Sequence, residues 1–280
     1  MIRITENNLV EAERELLALE IAMGEPRGTL VRLHQALHIL AGRDTTRPAD
    51  PNQRPKMYIP GLAAHAFWDS AEFGWASRLE DSFDVIVNEL LELRSTESFG
   101  REPDVDLVDR GVWAQYHFHV GERRIDTNCQ RCPRTAEILE TIEDTKNSGL
   151  TLFSAHAPGT HVRPHCGPHN ARLRCHFGLV IPDGCEIRVG QQIKTWEQGK
   201  CTIFDDSFEH EVWNRGHHTR IILIMDVWHP EVTRAERLAI THVLPLIKTL
   251  ILKRDEQVEL NRWEKLKEPD LEPLPVDWWM

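Results

Sequence analysis

From residue 150 to residue 228 the chain divides its apolar residues into short runs, near 150–155, 160–164, 172–182, 186–190, 200–204, 208–214 and 218–228, separated by Pro, Gly and Asn. Runs of this length make strands, and turn residues between successive runs favour antiparallel neighbours. So many short strands at regular spacing predict a mainly β protein, an antiparallel sandwich or barrel of jelly-roll type.

The flanking sequence has a different period. Leu9, Ala12, Leu16, Leu19 and Met23 recur at helical spacing after a candidate cap at Asn8. A second helix is expected over about 29–41, carrying Leu30, Leu33, Leu37 and Leu40. These two make a helical N-terminal segment, 1–45, either a packing appendage or a docking surface for a protein partner. Residues 42–60, rich in Pro, Arg and Asp, read as a linker or long loop. A helix over 70–93 would place Phe73, Trp75, Leu79, Phe83, Val87 and Leu90 on one face. A strand over 112–120 and a short helix over 134–143 complete the approach to the strand region. Thr233-Arg234-Ala235-Glu236 is a capping box that opens a helix over 234–252, interrupted at Pro245. The jelly-roll domain with its flanking helices therefore spans 53–252, and 253–280 forms a charged C-terminal tail.

Charge narrows the partners. With 44 acidic against 33 basic residues the formal net charge is −11, which argues against nucleic acid or an anionic membrane surface. No apolar stretch approaches the ~20 residues of a spanning helix, and the first residues lack the apolar core of a signal peptide. A cytoplasmic protein is expected. The 6 cysteines are too scattered for a disulfide scaffold in a chain this long. Cys129-Gln130-Arg131-Cys132 has redox or half-zinc spacing but no companion pair, and reads as a loop pair.

Chemistry concentrates on four strands. His165 and His210 lie near the ends of strands that a jelly roll can bring together, and imidazoles suit iron. A third, carboxylate ligand would be expected two residues after the first histidine, where the chain has Gly167. Arg220 sits inside the apolar run 219–227. A buried guanidinium must meet a carboxylate, either a protein acid or a bound dicarboxylate whose geometry matches its fork. On the strand 172–181, alternation places Arg172, Arg174, His176 and Gly178 on one face, and that face needs an anion.

Read together, Ser154-Ala155-His156-Ala157-Pro158-Gly159-Thr160-His161-Val162-Arg163-Pro164-His165-Cys166-Gly167-Pro168-His169-Asn170 and Arg172-Leu173-Arg174-Cys175-His176 resemble the aspartyl/asparaginyl β-hydroxylase family. So do Trp196-Glu197-Gln198-Gly199-Lys200, the segment Phe204 to Trp213, Asp226-Val227-Trp228-His229-Pro230 and, upstream, Gln53 to Leu62. The resemblance covers roughly 53–240. It implies a double-stranded β-helix and an Fe(II)/2-oxoglutarate-dependent dioxygenase that uses O2. By it, His165 and His210 are the iron ligands and water takes the position a carboxylate would fill, which accounts for Gly167. Ser154 and Arg220 would grip the distal carboxylate of 2-oxoglutarate, and His176 with Arg174 would contact its metal-side end or the substrate. Arg172 or Arg174 would supply the anion contact for an Asp- or Asn-like side chain in a peptide, a carrier-bound amino acid or a small molecule.

Two positions depart from the family's animal members. Their substrate-binding arginine falls near Val108, with Arg110 out of phase, and a lysine two residues before the serine is replaced by Leu152. Both touch substrate recognition rather than iron or co-substrate. Two other readings stay open: a halogenating iron oxygenase, with chloride admitted beside Gly167, and a non-catalytic cupin-like module that binds a carboxylate.

Overall fold

The computed structural model describes residues 4–94, 99–101, 107–145 and 149–252; the tail 253–280 lies outside them. Its helices are α1 (Glu6–Met23), α2 (Val31–Leu40), α3 (Ala76–Asp81), α4 (Phe83–Arg94), α5 (Asp126–Arg131), α6 (Pro133–Glu140) and α7 (Arg234–Leu252). Its strands are β1 (Phe67–Trp68), β2 (Gly100–Arg101), β3 (Val108–Arg110), β4 (Trp113–Val120), β5 (Arg123–Arg124), β6 (Leu150–His156), β7 (His161–His165), β8 (Arg172–Val180), β9 (Cys185–Val189), β10 (Gln192–Lys194), β11 (Cys201–Phe204), β12 (His210–Asn214) and β13 (Arg220–Trp228).

Two antiparallel sheets face each other. The larger runs β1-β11-β8-β13-β6-β4-β2, with β5 added at β4, and the smaller runs β10-β9-β12-β7-β3. This is the expected jelly roll. Every residue of β13 is buried, because β8 and β6 flank it and both of its faces are covered. On the outer face Phe153, Phe177, Leu223 and Met225 pack with Leu79, Ile86, Leu90, Ala136 and Leu139 of α3, α4 and α6. Each of these side chains except that of Ala136 contributes ~1.5–3 kcal/mol when taken fully out of water. Alternation then leaves Arg174, His176 and Gly178 of β8 facing inward.

Several element ends differ from the sequence expectation. Thr5, not Asn8, caps α1, and its hydroxyl accepts the Asn8 N–H at 3.3 Å. The single helix expected over 70–93 is a 3-10 turn, Ser70–Glu72, followed by α3 and α4. The break falls at Ser82, whose hydroxyl donates to the Arg78 carbonyl at 2.8 Å. This local bond competes with helix continuation. At the far end α7 continues across position 245, so the expected interruption is absent; proline forfeits one N–H bond there, and the rest of the ladder persists. The capping box forms as expected: Thr233 Oγ1 accepts from the Glu236 N–H at 3.2 Å, and Glu236 Oε2 from the Thr233 N–H at 2.9 Å. Cys129 lies in α5 and Cys132 at the α5–α6 junction, both in the core rather than in a loop, and burial pushes the Cys132 thiol up to about 12.

The N-terminal helices are joined to the barrel through one continuous core. Leu9, Leu16, Leu33 and Leu37 pack with Met57, Ile59, Trp228, Ala239 and Ile240. Leu30, at the α2 N-cap, has no side-chain acceptor, so buried Glu20 caps from α1 by taking the Gly28 and Leu30 N–H groups at 3.1 and 2.8 Å. Residues 42–60 are not a tether. Gln53 bridges to Phe208 and Met57 to His169, and Asn170 Oδ1 accepts the Ile59 N–H at 2.8 Å. No helix among the described residues is long and apolar enough to cross a membrane.

Candidate active site

The facing of the two sheets creates the site. His165 at the end of β7 and His210 at the start of β12 are direct cross-strand partners, with ring centroids 4.1 Å apart. Each ring is oriented alike: Nδ1 of His165 donates to the Arg163 carbonyl at 2.8 Å, and Nδ1 of His210 to the Phe208 carbonyl at 2.9 Å. With Nδ1 carrying the proton, Nε2 of each neutral ring presents its lone pair, as a metal requires. Burial and the neighbouring His165 hold the His210 pKa well below the ordinary range, which keeps it neutral. Two imidazoles so fixed fit a divalent ion.

No third ligand of the usual kind joins them. Among the described residues no group of three His, Cys, Asp or Glu converges on a metal-sized point. Gly167 has a packing reason: a Cβ there would come within 2.3 Å of Asp206 Oδ1. A carboxylate from another strand end thus occupies the space a side chain at 167 would need. Neither Asp206 oxygen has a hydrogen-bond partner among the described residues, and burial raises its pKa against the opposing pull of Arg174 and Arg172.

A run of ring contacts leads inward from the histidines. Phe204 lies 5.4 Å from His210 and 4.8 Å from His176, and His176 lies 5.8 Å from Trp196. Gly178 admits the Trp196 loop, since a Cβ there would meet the Glu197 carbonyl oxygen at 2.3 Å. Trp196 Nε1 donates to His176 Nδ1 at 3.2 Å, so the N–H of neutral His176 is on Nε2.

The run ends at Arg220, 1% exposed, with its guanidinium carbon 4.8 Å from the Trp196 ring centroid. Its Nε and Nη1 have no hydrogen-bond partner among the described residues, and burial drags its pKa down to about 10. Of the two partners open to it from sequence, no internal acid meets it among the described residues. Ser154, two positions along the neighbouring strand from Arg220's cross-strand partner, accepts from Trp113 Nε1 at 2.9 Å and has its own proton left to donate. The cluster is all donor, which suits an anion.

Arg174 and Arg172 stand differently. Arg174 Nε donates to Asp226 Oδ1 at 2.8 Å, its Nη2 lies 3.4 Å from Asp206, and Arg172 Nη1 lies 3.5 Å from Asp226. The anion their face requires is supplied within the chain. Arg110 is exposed on β3, and Leu152 packs with Ile222 and Ile224 on the inner wall. Sequence reasoning gave no role to Asp206, His156, Trp113 or Trp196. The doublet Asp205-Asp206 just before His210 is the visible signal for the first, while the others show only once strand neighbours are known.

Paired histidines at one end of a jelly-roll interior and, further in, a buried arginine with no acid partner among the described residues make up the candidate site. The family model described as aspartyl/asparaginyl beta-hydroxylase matches residues 80–230. The chain belongs to that family. It is 41% identical over 192 residues to the human aspartyl/asparaginyl beta-hydroxylase, covering 66% of this chain and 25% of that protein. It is 32% identical over 202 residues to the mouse aspartate beta-hydroxylase domain-containing protein 2, covering 68% and 59%. The chain therefore spans a quarter of the first relative and under two thirds of the second. A solved oxidoreductase of the 2OG-Fe(II) oxygenase family from Burkholderia pseudomallei aligns over 60% of this chain and 94% of that one, at 11% identity and a TM-score of 0.41.

Proposed function

We propose that this chain is an Fe(II)- and 2-oxoglutarate-dependent dioxygenase that hydroxylates the β-carbon of an Asp- or Asn-like residue in a peptide, a carrier-bound amino acid or a small molecule. Membership of the family supports the chemistry, and one observation carries the co-substrate: Arg220 is buried on the same inner surface as the paired histidines, with no acid partner among the described residues. An uncompensated buried charge is costly, and a dicarboxylic keto acid relieves it.

His165 and His210 would hold iron through Nε2. When bound, the metal supplies the activation of O2 that couples decarboxylation of the keto acid to hydroxylation. Arg220 and the Ser154 hydroxyl hold the distal carboxylate, while His176 offers Nε2–H to the co-substrate further toward the metal. Trp196 and Phe204 wall this path and exclude water from it. Asp206, loosely paired with Arg174 and without a hydrogen bond among the described residues, offers an acceptor to water beside Gly167. Arg174 approaches Asp206 more loosely than Asp226, and its Asp206 side is where it would meet a substrate carboxylate. Buried Leu152 and exposed Arg110 stand where the animal members of the family are expected to differ, so the substrate is expected to differ from theirs. Halogenation is disfavoured, because the Asp206 carboxylate beside Gly167 repels a halide.

The test is anaerobic addition of Fe(II) and 2-oxoglutarate, with the weak visible metal-to-ligand charge-transfer band as readout, followed by succinate release in air. His210→Ala is expected to abolish both. Absence of the band in the unaltered protein, with no keto-acid-dependent succinate, overturns the reading.

A further inference from the structure

Beside Arg220 lies a second buried group that nothing in the preceding account uses. His156 closes β6, is 2% exposed, and has no hydrogen-bond partner at either Nδ1 or Nε2 among the described residues. It is the direct cross-strand partner of Arg220 on one side and of Trp113 on the other, and its ring meets Trp113 edge-on at 5.4 Å. Residues directly opposite in an antiparallel pair share a face, with Cβ atoms roughly 5 Å apart. His156 therefore points into the same interior as Arg220, and by its even spacing so does Ser154.

A buried imidazole with both nitrogens unpaired is unfavourable in an otherwise packed core. The adjacent Arg220 likewise has no acceptor at Nε or Nη1 among the described residues. Every group here that needs a partner is a donor or can be one, and the walls nearby are Trp113, Trp196 and Ile222. Burial, Arg220 and His176 together hold His156 far below its ordinary pKa, so it is neutral. A neutral imidazole adds a donor beside the guanidinium without adding a second buried charge.

We propose that His156 is a direct ligand of the distal carboxylate of the keto acid, donating a ring N–H to one oxygen while Arg220 binds the same carboxylate. The inference rests on the co-substrate reading above and extends it by one residue. It makes the clamp three-sided, with Arg220, Ser154 and His156 drawn from two adjacent strands, and it ties selection for a dicarboxylate to His156.

The experiment is calorimetric titration of the Mn(II)-loaded protein, without O2, by 2-oxoglutarate and by 2-oxopentanoate, which has the same chain length but no distal carboxylate. For His156→Leu the expected result is about a tenfold loss of 2-oxoglutarate affinity, the scale of one hydrogen bond to a charged group, and no loss for 2-oxopentanoate. The keto-acid-free variant should melt at a higher temperature, because two unsatisfied nitrogens are gone. His156→Gln, which retains a donor, should recover most of the affinity. Unchanged 2-oxoglutarate binding in His156→Leu overturns this inference alone, as does an equal loss for both keto acids, which marks a packing role. Absence of 2-oxoglutarate binding to the unaltered protein overturns this inference and the co-substrate reading together.

Discussion

Strand β13 carries a charged residue at each end of one buried face, and the two ends are treated in opposite ways. Asp226 faces its cross-strand partner Arg174 at 2.8 Å, receives Arg172 at 3.5 Å, and accepts the Leu150 N–H at 2.8 Å. Burial alone would raise its pKa, yet these cations and that donor hold it down to about 2. Six residues earlier Arg220 faces not an acid but the unpaired ring of His156, and burial pulls its pKa down to about 10. One end is neutralised by the chain. The other keeps a charge with no acid beside it among the described residues, and on the proposed reading the difference separates residues that hold the barrel together from residues that bind a co-substrate.

Breaking the paired end should have the largest effect on folding. Asp226→Asn takes the carboxylate charge away from buried Arg172 and leaves Arg174 only its looser contact with Asp206, and the loss of unfolding free energy is expected at about 3–5 kcal/mol. Denaturant titration in the absence of metal and keto acid measures it, and a loss under about 1 kcal/mol would erase the contrast. The same pair fixes a pH dependence. A carboxylate lowered from 3.8 to about 2 contributes stability that is complete above 3.8 and is lost as pH falls through about 2. Asp226→Asn should remove that part of the acid limb.

The waiting end should respond in the opposite sense. Arg220→Met removes an uncompensated charge and fills the space with an apolar chain, so the ligand-free protein should gain about 1–3 kcal/mol. Its affinity for 2-oxoglutarate should fall by more than about thirtyfold, the usual result of truncating one side of a buried charge pair. Thermal melts with and without the keto acid read both effects. A destabilised variant with intact binding would place Arg220 with Arg174 as a structural residue.

This contrast also marks how far the sequence could be read. Between β6 and β13 all strands of the barrel but β10 were legible, because period-2 burial and Pro/Gly punctuation act locally. Strands of two or three residues, such as β1, β5 and β10, carry too little periodicity to show. Thr5 displaced Asn8 as a cap because helix ends depend on one dihedral and one hydrogen bond. In the site, His165, His210 and Arg220 stood out because their chemistry is unusual for where the strand pattern puts them. That Arg174 would meet Asp226, and Arg220 would meet His156, depends on the register between strands that are distant in sequence, and no local pattern encodes it. Gly167 was visible as a missing carboxylate, whereas the Asp206 carboxylate packed against it was not.

Ser154 lies between the two cases and so tests whether the division is sharp. Its hydroxyl is wired to the protein as an acceptor from Trp113 Nε1 at 2.9 Å, while its proton is left for the ligand proposed for Arg220. Ser154→Ala should therefore move both readouts slightly. Leaving the Trp113 N–H without its acceptor costs about 1 kcal/mol of stability, and losing one donor lowers keto-acid affinity about fivefold. Arg220→Met, in contrast, trades affinity for stability. If Ser154→Ala changes stability alone, the hydroxyl serves Trp113 and the carboxylate clamp consists of Arg220 and His156. If it changes affinity alone, the Trp113 bond is incidental and the serine belongs wholly to the co-substrate.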